Sequence, residues 1–185
     1  MEIKYKTSLS FLVLIGIAVG CIFLIFQTKL NQPNTQDHID QYVLDAVYDQ
    51  YNPEGEKITH VTATKIDHYN LSDTSYFENP VIFLYHDNQA PWKISADYGK
   101  SLKGNQHIQL WKNVVLHQDA LDDNEETTIR TTAITFNPNK QEAETNQAVT
   151  ITRPHSIVQS VGLRTNFKTG VSQLSTNARV VYDGQ

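Results

Sequence analysis

The chain has 185 residues, with 15 Lys and Arg against 20 Asp and Glu, so its formal net charge at pH 7 is -5. This length suits one domain with a substantial core and is short for two. A net acidic chain lacks the basic surface that nucleic acids require, so we expect no nucleic-acid partner. The single cysteine, Cys21, excludes an internal disulfide and a cysteine-based zinc site.

An uncharged apolar run occupies residues 9–26, close to the roughly 20 residues that cross a bilayer as a helix. Lys4 and Lys6 precede the run, and after Lys29 the next basic residue is Lys57. The positive-inside rule therefore predicts a cytoplasmic amino terminus and a periplasmic remainder, that is, a single-pass protein of the inner membrane.

Two other interpretations of this segment stay open. A cleaved signal peptide would have a shorter apolar region followed by small residues, whereas this run continues to Phe26. A lipidated cysteine is suggested loosely by Ala18, Val19 and Gly20 before Cys21, but such a cysteine normally ends the apolar stretch. The uncleaved anchor fits the segment best.

The predicted organisation follows from these boundaries. Residues 31–40 are polar, contain a proline and lack an apolar period, which is typical of a short linker. We expect a cytoplasmic tip at 1–7, a transmembrane helix at 8–27, a periplasmic linker at 28–41 and a β domain at 42–185.

Beyond residue 41 the pattern is strand after strand. Asn52, Pro53 and Gly55 occupy the first, second and fourth positions of a predicted type I turn. Pairs of strand-like segments then recur, at a period of roughly 30 to 35 residues that is typical of stacked β-hairpins. The pairs are 61–63 with 80–83, 94–96 with 113–116, 129–131 with 148–151, and 158–160 with 178–181. The predicted fold class is all-β, with a rolled antiparallel sheet.

Alternating apolar residues in these strands predict one shared face. That face either fills an ordinary closed core or lines an apolar trough in a roll that does not close, and periodicity alone does not separate the two. The residues concerned are Val61, Ala63, Ile94, Ala96, Val114, Leu116, Val149 and Ile151.

The residues offer little chemistry. None of the seven histidines forms a metal-binding pair, so we predict no metal, and no phosphate loop or nucleophile elbow is present. The acidic residues between Asp119 and Glu126 are predicted to form a solvated loop. Trp92 and Trp111 could stack on a sugar, although core or rim packing is the simpler interpretation. We therefore expect neither an enzyme nor a cofactor.

Three motifs follow the apolar run in order: Y-N-P-E-G at 51–55, Y-F-E-N-P-V at 76–81 and W-K-I-S-A-D at 92–97. In this order, over nearly the whole chain, they resemble the LptC family, the bitopic inner-membrane component of the lipopolysaccharide transport machine. The turn at 51–55 and its spacing to the F-x-x-P-V strand are the most specific parts. One departure is Arg153-Pro154, where related chains can carry a small residue, and it puts the local edge geometry in question.

The resemblance implies an open β-jellyroll of antiparallel strands with one N-terminal transmembrane helix. It implies lipopolysaccharide as cargo, received from the permease subunits of an inner-membrane ABC transporter at the N-terminal edge and the membrane helix. It implies delivery to a soluble periplasmic bridge protein at the C-terminal edge. By motif match, Phe77 and Ala46 fall on the family's lipid-contacting positions.

Combining motif and periodicity, we predict two sets of functional residues. The trough residues are Ala46, Ala63, Phe77, Ile94, Ala96, Leu110, Val114, Ile129, Val149 and Ile151. The partner-binding residues of the two edge strands are Tyr42, Leu44 and Tyr48 at the incoming edge and Leu174, Val180 and Tyr182 at the outgoing edge. The alternative functions are a membrane-anchored assembly scaffold with a dry interior and, less well supported, a membrane-tethered hydrolase.

Overall fold

The computed structural model describes residues 37–86, 89–102, 107–122 and 124–182. These residues form eleven strands: β1 (Ile39–Tyr51), β2 (Lys57–Tyr69), β3 (Thr74–Glu78), β4 (Val81–Leu84), β5 (Trp92–Ser95), β6 (Tyr98–Leu102), β7 (His107–Gln118), β8 (Thr127–Asn137), β9 (Glu142–Arg153), β10 (Ser156–Asn166) and β11 (Ser172–Tyr182). The all-β prediction is thus confirmed for the described residues.

The predicted cytoplasmic tip and transmembrane helix lie outside the described residues. Within the part of the chain that is described, no helix is long and apolar enough to span a bilayer. The first strand begins at Ile39, inside the range 28–41 that we expected to be the linker. β1 therefore includes residues 39–41 of that range.

All eleven strands join one antiparallel sheet, and the four predicted hairpin units are present. They are the pairs β2–β4, β5–β7, β8–β9 and β10–β11. The first two units each hold an additional strand that the sequence pattern did not predict. β3 lies between β2 and β4 in the chain, and β6 lies between β5 and β7.

The long strands β2 and β7 each pair with one strand along their first part and with another strand along their second part. In β2, residues 59–62 pair with β4 whereas 65–69 pair with β3. In β7, residues 115–118 pair with β5 whereas 107–111 pair with β6. This divides the sheet into two halves. Half-sheet I comprises β4, β5 and the segments 46–51, 57–63, 114–118, 127–131, 149–153, 156–160 and 178–182. Half-sheet II comprises β3, β6 and the segments 39–44, 65–69, 107–111, 133–137, 142–146, 163–166 and 172–176.

A crease separates the half-sheets, because the strands bend where they pass from one half to the other. Positive φ angles mark it: Asp45 (48°), Asn79 (49°), Lys112 (64°), Asn113 (53°), Gly162 (84°) and Asn177 (53°). Asn, Asp and Gly tolerate this conformation best, and such irregularities bend a strand and can reset which residues face inward. Side-chain bonds support the bend: Asn79 Nδ2 donates to Thr64 Oγ1 at 3.2 Å, and Asn113 Nδ2 donates to Asp97 Oδ2 at 3.0 Å.

Folding at the crease brings the apolar faces of the half-sheets together as a core. Trp92 of half-sheet I contacts Phe167, which directly follows β10 in half-sheet II, with ring centroids 5.4 Å apart. Phe167 also contacts Phe136, at 5.8 Å. Further along the opening between the halves, His86 Nε2 lies 3.1 Å from Gln141 Oε1. The two half-sheets are therefore packed against each other along their middle strands.

The predicted turn at 52–55 is confirmed. The amide of Gly55 donates to the carbonyl of Asn52 at 3.0 Å, and the Asn52 side chain accepts from the amide of Glu56 at 2.8 Å. Pro154, which put the local edge geometry in question, lies in the tight turn between β9 and β10. Because both of those strands are interior, Arg153-Pro154 does not alter either sheet edge.

Candidate functional site: the inner face and the edge strands

The inner face of half-sheet II carries one row of small and apolar residues across five strands. In cross-strand register the row runs Val43, Ile66, Phe77, Gly99 and Leu110. Gly99 has no side chain because its neighbours occupy the space. An added Cβ there would lie 2.8 Å from Leu110 Cδ2 and 3.3 Å from Phe77 Cδ2. Phe77, predicted by motif match, is half-buried in this row.

The inner face of half-sheet I carries the corresponding row. Ala46 faces Ala63 across β1 and β2, and Tyr48 faces Val61. Farther along the sheet the row passes through Ile82, Ile94, Leu116, Ile129 and Ile151. The structure thus places all ten predicted trough residues on the inner face. Eight are buried and two, Ala46 and Phe77, are half-buried; the buried ones are Ala63, Ile94, Ala96, Leu110, Val114, Ile129, Val149 and Ile151.

The inner face is filled in its middle strands. Ile94, Leu110 and Ile129 are each only 1% exposed, and they belong to one cluster with Trp92 and Phe167. Periodicity left open whether the inner face fills a closed core or lines an open trough, and in these middle strands it fills a closed core. The apolar row nevertheless extends beyond the core toward both edges of the sheet.

At the edges the same row becomes accessible to solvent. On β1, Val43 and Tyr48 are 50% and 55% exposed, and on β11 Val180 and Tyr182 are 46% and 76% exposed. In the described part of the chain, β1 pairs with β2 alone and β11 with β10 alone. Five of the six predicted partner-binding residues are exposed, and Leu174 is half-buried.

Two acid–histidine pairs attach β1 to β2. His60 Nδ1 lies 2.6 Å from Asp49 Oδ1, and Lys57 Nζ lies 3.0 Å from the same oxygen. The hydrogen bond with His60, followed by the one with Lys57, lowers the pKa of Asp49. Near the other end of β1, His68 Nδ1 lies 2.7 Å from Asp40 Oδ1. That hydrogen bond raises the pKa of His68 and lowers the pKa of Asp40.

Other polar residues singled out in the sequence do not gather into a reactive site. The described residues include no group of three metal-ligating side chains. Asp119, Asp122, Glu125 and Glu126 are exposed. Trp92 is a core residue, 7% exposed, whereas Trp111 is half-buried on the outer face, stacked on Tyr98.

Sequence reasoning missed several inner-face residues. Ile134 and Phe136 alternate with Ala133 and Thr135, so a period of two was a usable signal for them. Val43 and Ile66 lie on the opposite alternation phase from Ala46 and Ala63, because the crease intervenes. Phe167 follows the last residue of β10, where no strand period reaches it.

Comparisons with known proteins give two findings. The family model described as "Lipopolysaccharide-assembly, LptC-related" matches residues 11–183. Among solved structures, the chain is similar to LptH of Pseudomonas aeruginosa, described as the LptA-homologous periplasmic component of the lipopolysaccharide transport device. That likeness has a TM-score of 0.51 at 8% identity, covering 69% of this chain and 94% of LptH. A comparison with curated protein sequences found no match.

Proposed function

Because the chain belongs to the LptC-related family of lipopolysaccharide-assembly proteins, we propose that it conducts lipopolysaccharide along the inner face of its folded sheet. It receives the lipid from the permease subunits of an inner-membrane ABC transporter and passes it to a soluble periplasmic bridge protein. The observation that carries this proposal is the inner apolar row, which spans the sheet and becomes exposed at β1 and β11.

The physical requirement is protection of acyl chains from water. Exposing a chain costs about 0.8 kcal/mol per CH₂, so a dozen carbons cost roughly 10 kcal/mol. An apolar face that shields the chains removes most of this cost and leaves the sugars in water. Such a carrier needs no reacting group and no cofactor.

The filled middle of the inner face sets a condition on transport. Acyl chains can lie there only if half-sheets I and II separate, which displaces the contact between Trp92 and Phe167. We propose that incoming lipid replaces these side-chain contacts, exchanging one apolar environment for another. The exposed ends of the row at Tyr48 and Tyr182 are the first and last points of contact.

The edge strands are suited to joining proteins. An edge strand presents unpaired amides and carbonyls, and β-augmentation by a partner strand extends both the sheet and its inner face. We propose that β1 and the membrane helix at 8–27 contact the permease subunits. β11 then contacts the bridge protein, with the tip at 1–7 cytoplasmic and the domain periplasmic.

Photo-crosslinking tests the proposal. A photoreactive residue at Phe77, on the inner face, should give a lipopolysaccharide adduct in cells with an active transporter. The matched control is the neighbouring Tyr76, which faces outward and is 43% exposed; it should give no adduct. Absence of adduct at Phe77, Val43 and Tyr48, with partner binding intact, would favour the scaffold function over lipid transfer.

A further inference from the structure

The outer face of half-sheet II has a hollow that the inner-face function does not use. It spans five adjacent strands, β7 to β11, has a volume of about 710 Å³ and is open to solvent on one side. This volume lies within the range of small-molecule sites. The outward residues around it include Gln109, Trp111, Ala133, Thr135, Glu144 and Arg164.

One wall of the hollow is aromatic. Trp111 lies between Tyr98 and Ala133 in cross-strand register. Tyr98 stacks on the indole with ring centroids 6.2 Å apart, and Lys112 Nζ lies 5.3 Å from the Tyr98 ring centroid. On the other side, the small side chain of Ala133 leaves the space next to the indole open. Trp111 is therefore supported from one side and accessible from the hollow.

The floor lies where the sheet is irregular. The pairing of β8 with β9 is interrupted between Arg130 and Thr135. In this gap Thr145 Oγ1 donates to the carbonyl of Ala133 at 2.6 Å, so a side chain replaces part of the backbone ladder. The interruption and the small residue at 133 together account for the depression.

A polar wall with balanced charges makes up much of the rest of the lining. Arg164 Nη2 donates to Glu144 Oε2 at 2.7 Å, and both side chains are more than half exposed. Gln109, Thr135 and Gln173 add groups that both donate and accept hydrogen bonds. An anion would meet Glu144 and a cation would meet Arg164, so the wall favours an uncharged ligand rich in hydroxyl groups.

We propose that this hollow binds an uncharged stretch of an oligosaccharide. A pyranose ring has an apolar face that packs on an indole and a rim of hydroxyls, each of which both donates and accepts. The glycan can come from the sugar part of lipopolysaccharide or from the cell wall. Because the hollow lies on the outer face, this proposal does not depend on lipid transport along the inner face.

Calorimetric titration of the full-length chain, in a detergent without a sugar head group, tests the site. One arm uses the saccharide of lipopolysaccharide freed of its acyl chains, and the other uses chitotetraose. We expect one of them to bind. Trp111→Ala should weaken binding by about tenfold or more, with partial recovery in Trp111→Phe. Tyr76→Ala, on the same outer face but outside the hollow, is the control and should bind normally.

A second variant tests the site independently, in case Trp111→Ala fails to fold. Ala133→Met fills the hollow without removing any of its polar groups, and it should also abolish binding. The arm that binds identifies the source of the glycan. Failure of both saccharides to bind at millimolar concentration would overturn the proposal, as would binding that both variants leave unchanged. Loss of the lipid adduct at Phe77 would leave this result unaffected.

Discussion

The ring of Trp92 lies edge-on to the ring of Phe167, with centroids 5.4 Å apart and planes at 61°. The two residues belong to opposite half-sheets, and Phe136 extends the cluster on the half-sheet II side. Edge-to-face aromatic contacts of this kind stabilise beyond the area they bury. This contact is therefore one of those that hold the two inner faces together, and under the proposed function lipid would have to displace it.

Phe167→Ala should destabilise the domain by about 3–5 kcal/mol, because it removes a side chain that is 1% exposed from the centre of the core. Chemical denaturation measures the change. The control is Val171→Ala, a few residues away and 65% exposed, for which a change within about 0.5 kcal/mol is expected. Equal effects of the two substitutions would show that the halves do not pack as described.

Gly99→Ala should cost about 1–3 kcal/mol, since the added methyl group would overlap Leu110 Cδ2. Shortening that neighbour should relieve the overlap. In a double-mutant cycle with Leu110→Val, the two substitutions should therefore cost less together than the sum of their separate costs. Strict additivity would mean that Gly99 and Leu110 do not share this space.

The pairing of His68 with Asp40 makes the attachment of β1 depend on pH. The pKa of His68 is raised above its ordinary 6.5, so its contribution is complete below that pH and is lost as pH rises through the raised value. The pKa of Asp40 is lowered below its ordinary 3.8, so its contribution is complete above that pH and is lost as pH falls through the lowered value. We expect β1 to be held most firmly between pH 3.8 and 6.5.

An NMR titration of the His68 ring checks this expectation. The midpoint should fall in a variant carrying Asp40→Asn and Asp73→Asn, because both carboxylates raise the pKa of His68. The control is Asp97→Asn, at a carboxylate that accepts from Asn113 and lies outside the His68 contacts, and it should leave the His68 midpoint unchanged. An unchanged His68 midpoint in the Asp40→Asn and Asp73→Asn variant would contradict the pairing.

Val180→Asp should reduce capture of the periplasmic bridge protein while changing stability by no more than about 1 kcal/mol. The residue lies on the edge strand β11 and is 46% exposed, so a charge there meets the partner rather than the core. Pull-down of the purified bridge protein is the measurement. Leu121→Asp, 40% exposed in a loop, should leave capture intact; normal capture by the Val180 variant would remove β11 from the interface.

Much of the fold was predictable because local rules determine it. Alternation placed Ile94, Val114 and Val149 on one face, and the turn at Asn52 follows from residues with fixed backbone preferences. The crease was not predicted, although Asn and Asp inside strand patterns, at Asp45, Asn79 and Asn113, were its signal. Asn and Asp favour turns between strands as well as bends within them, so their presence alone does not locate a crease.

The sequence alone did not determine whether the inner face is filled or open. The same alternation is compatible with a filled core and with an open trough, and the difference depends on Phe136 and Phe167 reaching across from the other half-sheet. The pairing of β2 and β7 with two strands each is likewise a long-range property. The partner strand of β2 changes near Thr64 and that of β7 changes near Lys112. The sequence around these residues does not specify which strand pairs on either side.

If acyl chains lie between the two half-sheets, as proposed, locking those halves together should exclude them. His86 and Gln141, 3.1 Å apart across the opening, can be replaced by cysteines in a Cys21→Ala background and joined with a short bismaleimide. Lipopolysaccharide bound to the protein from active cells is then measured in joined and unjoined samples, with His86→Cys alone as control. Joining should reduce bound lipopolysaccharide to background; equal occupancy in the joined and unjoined protein would show that lipid does not pass between the half-sheets.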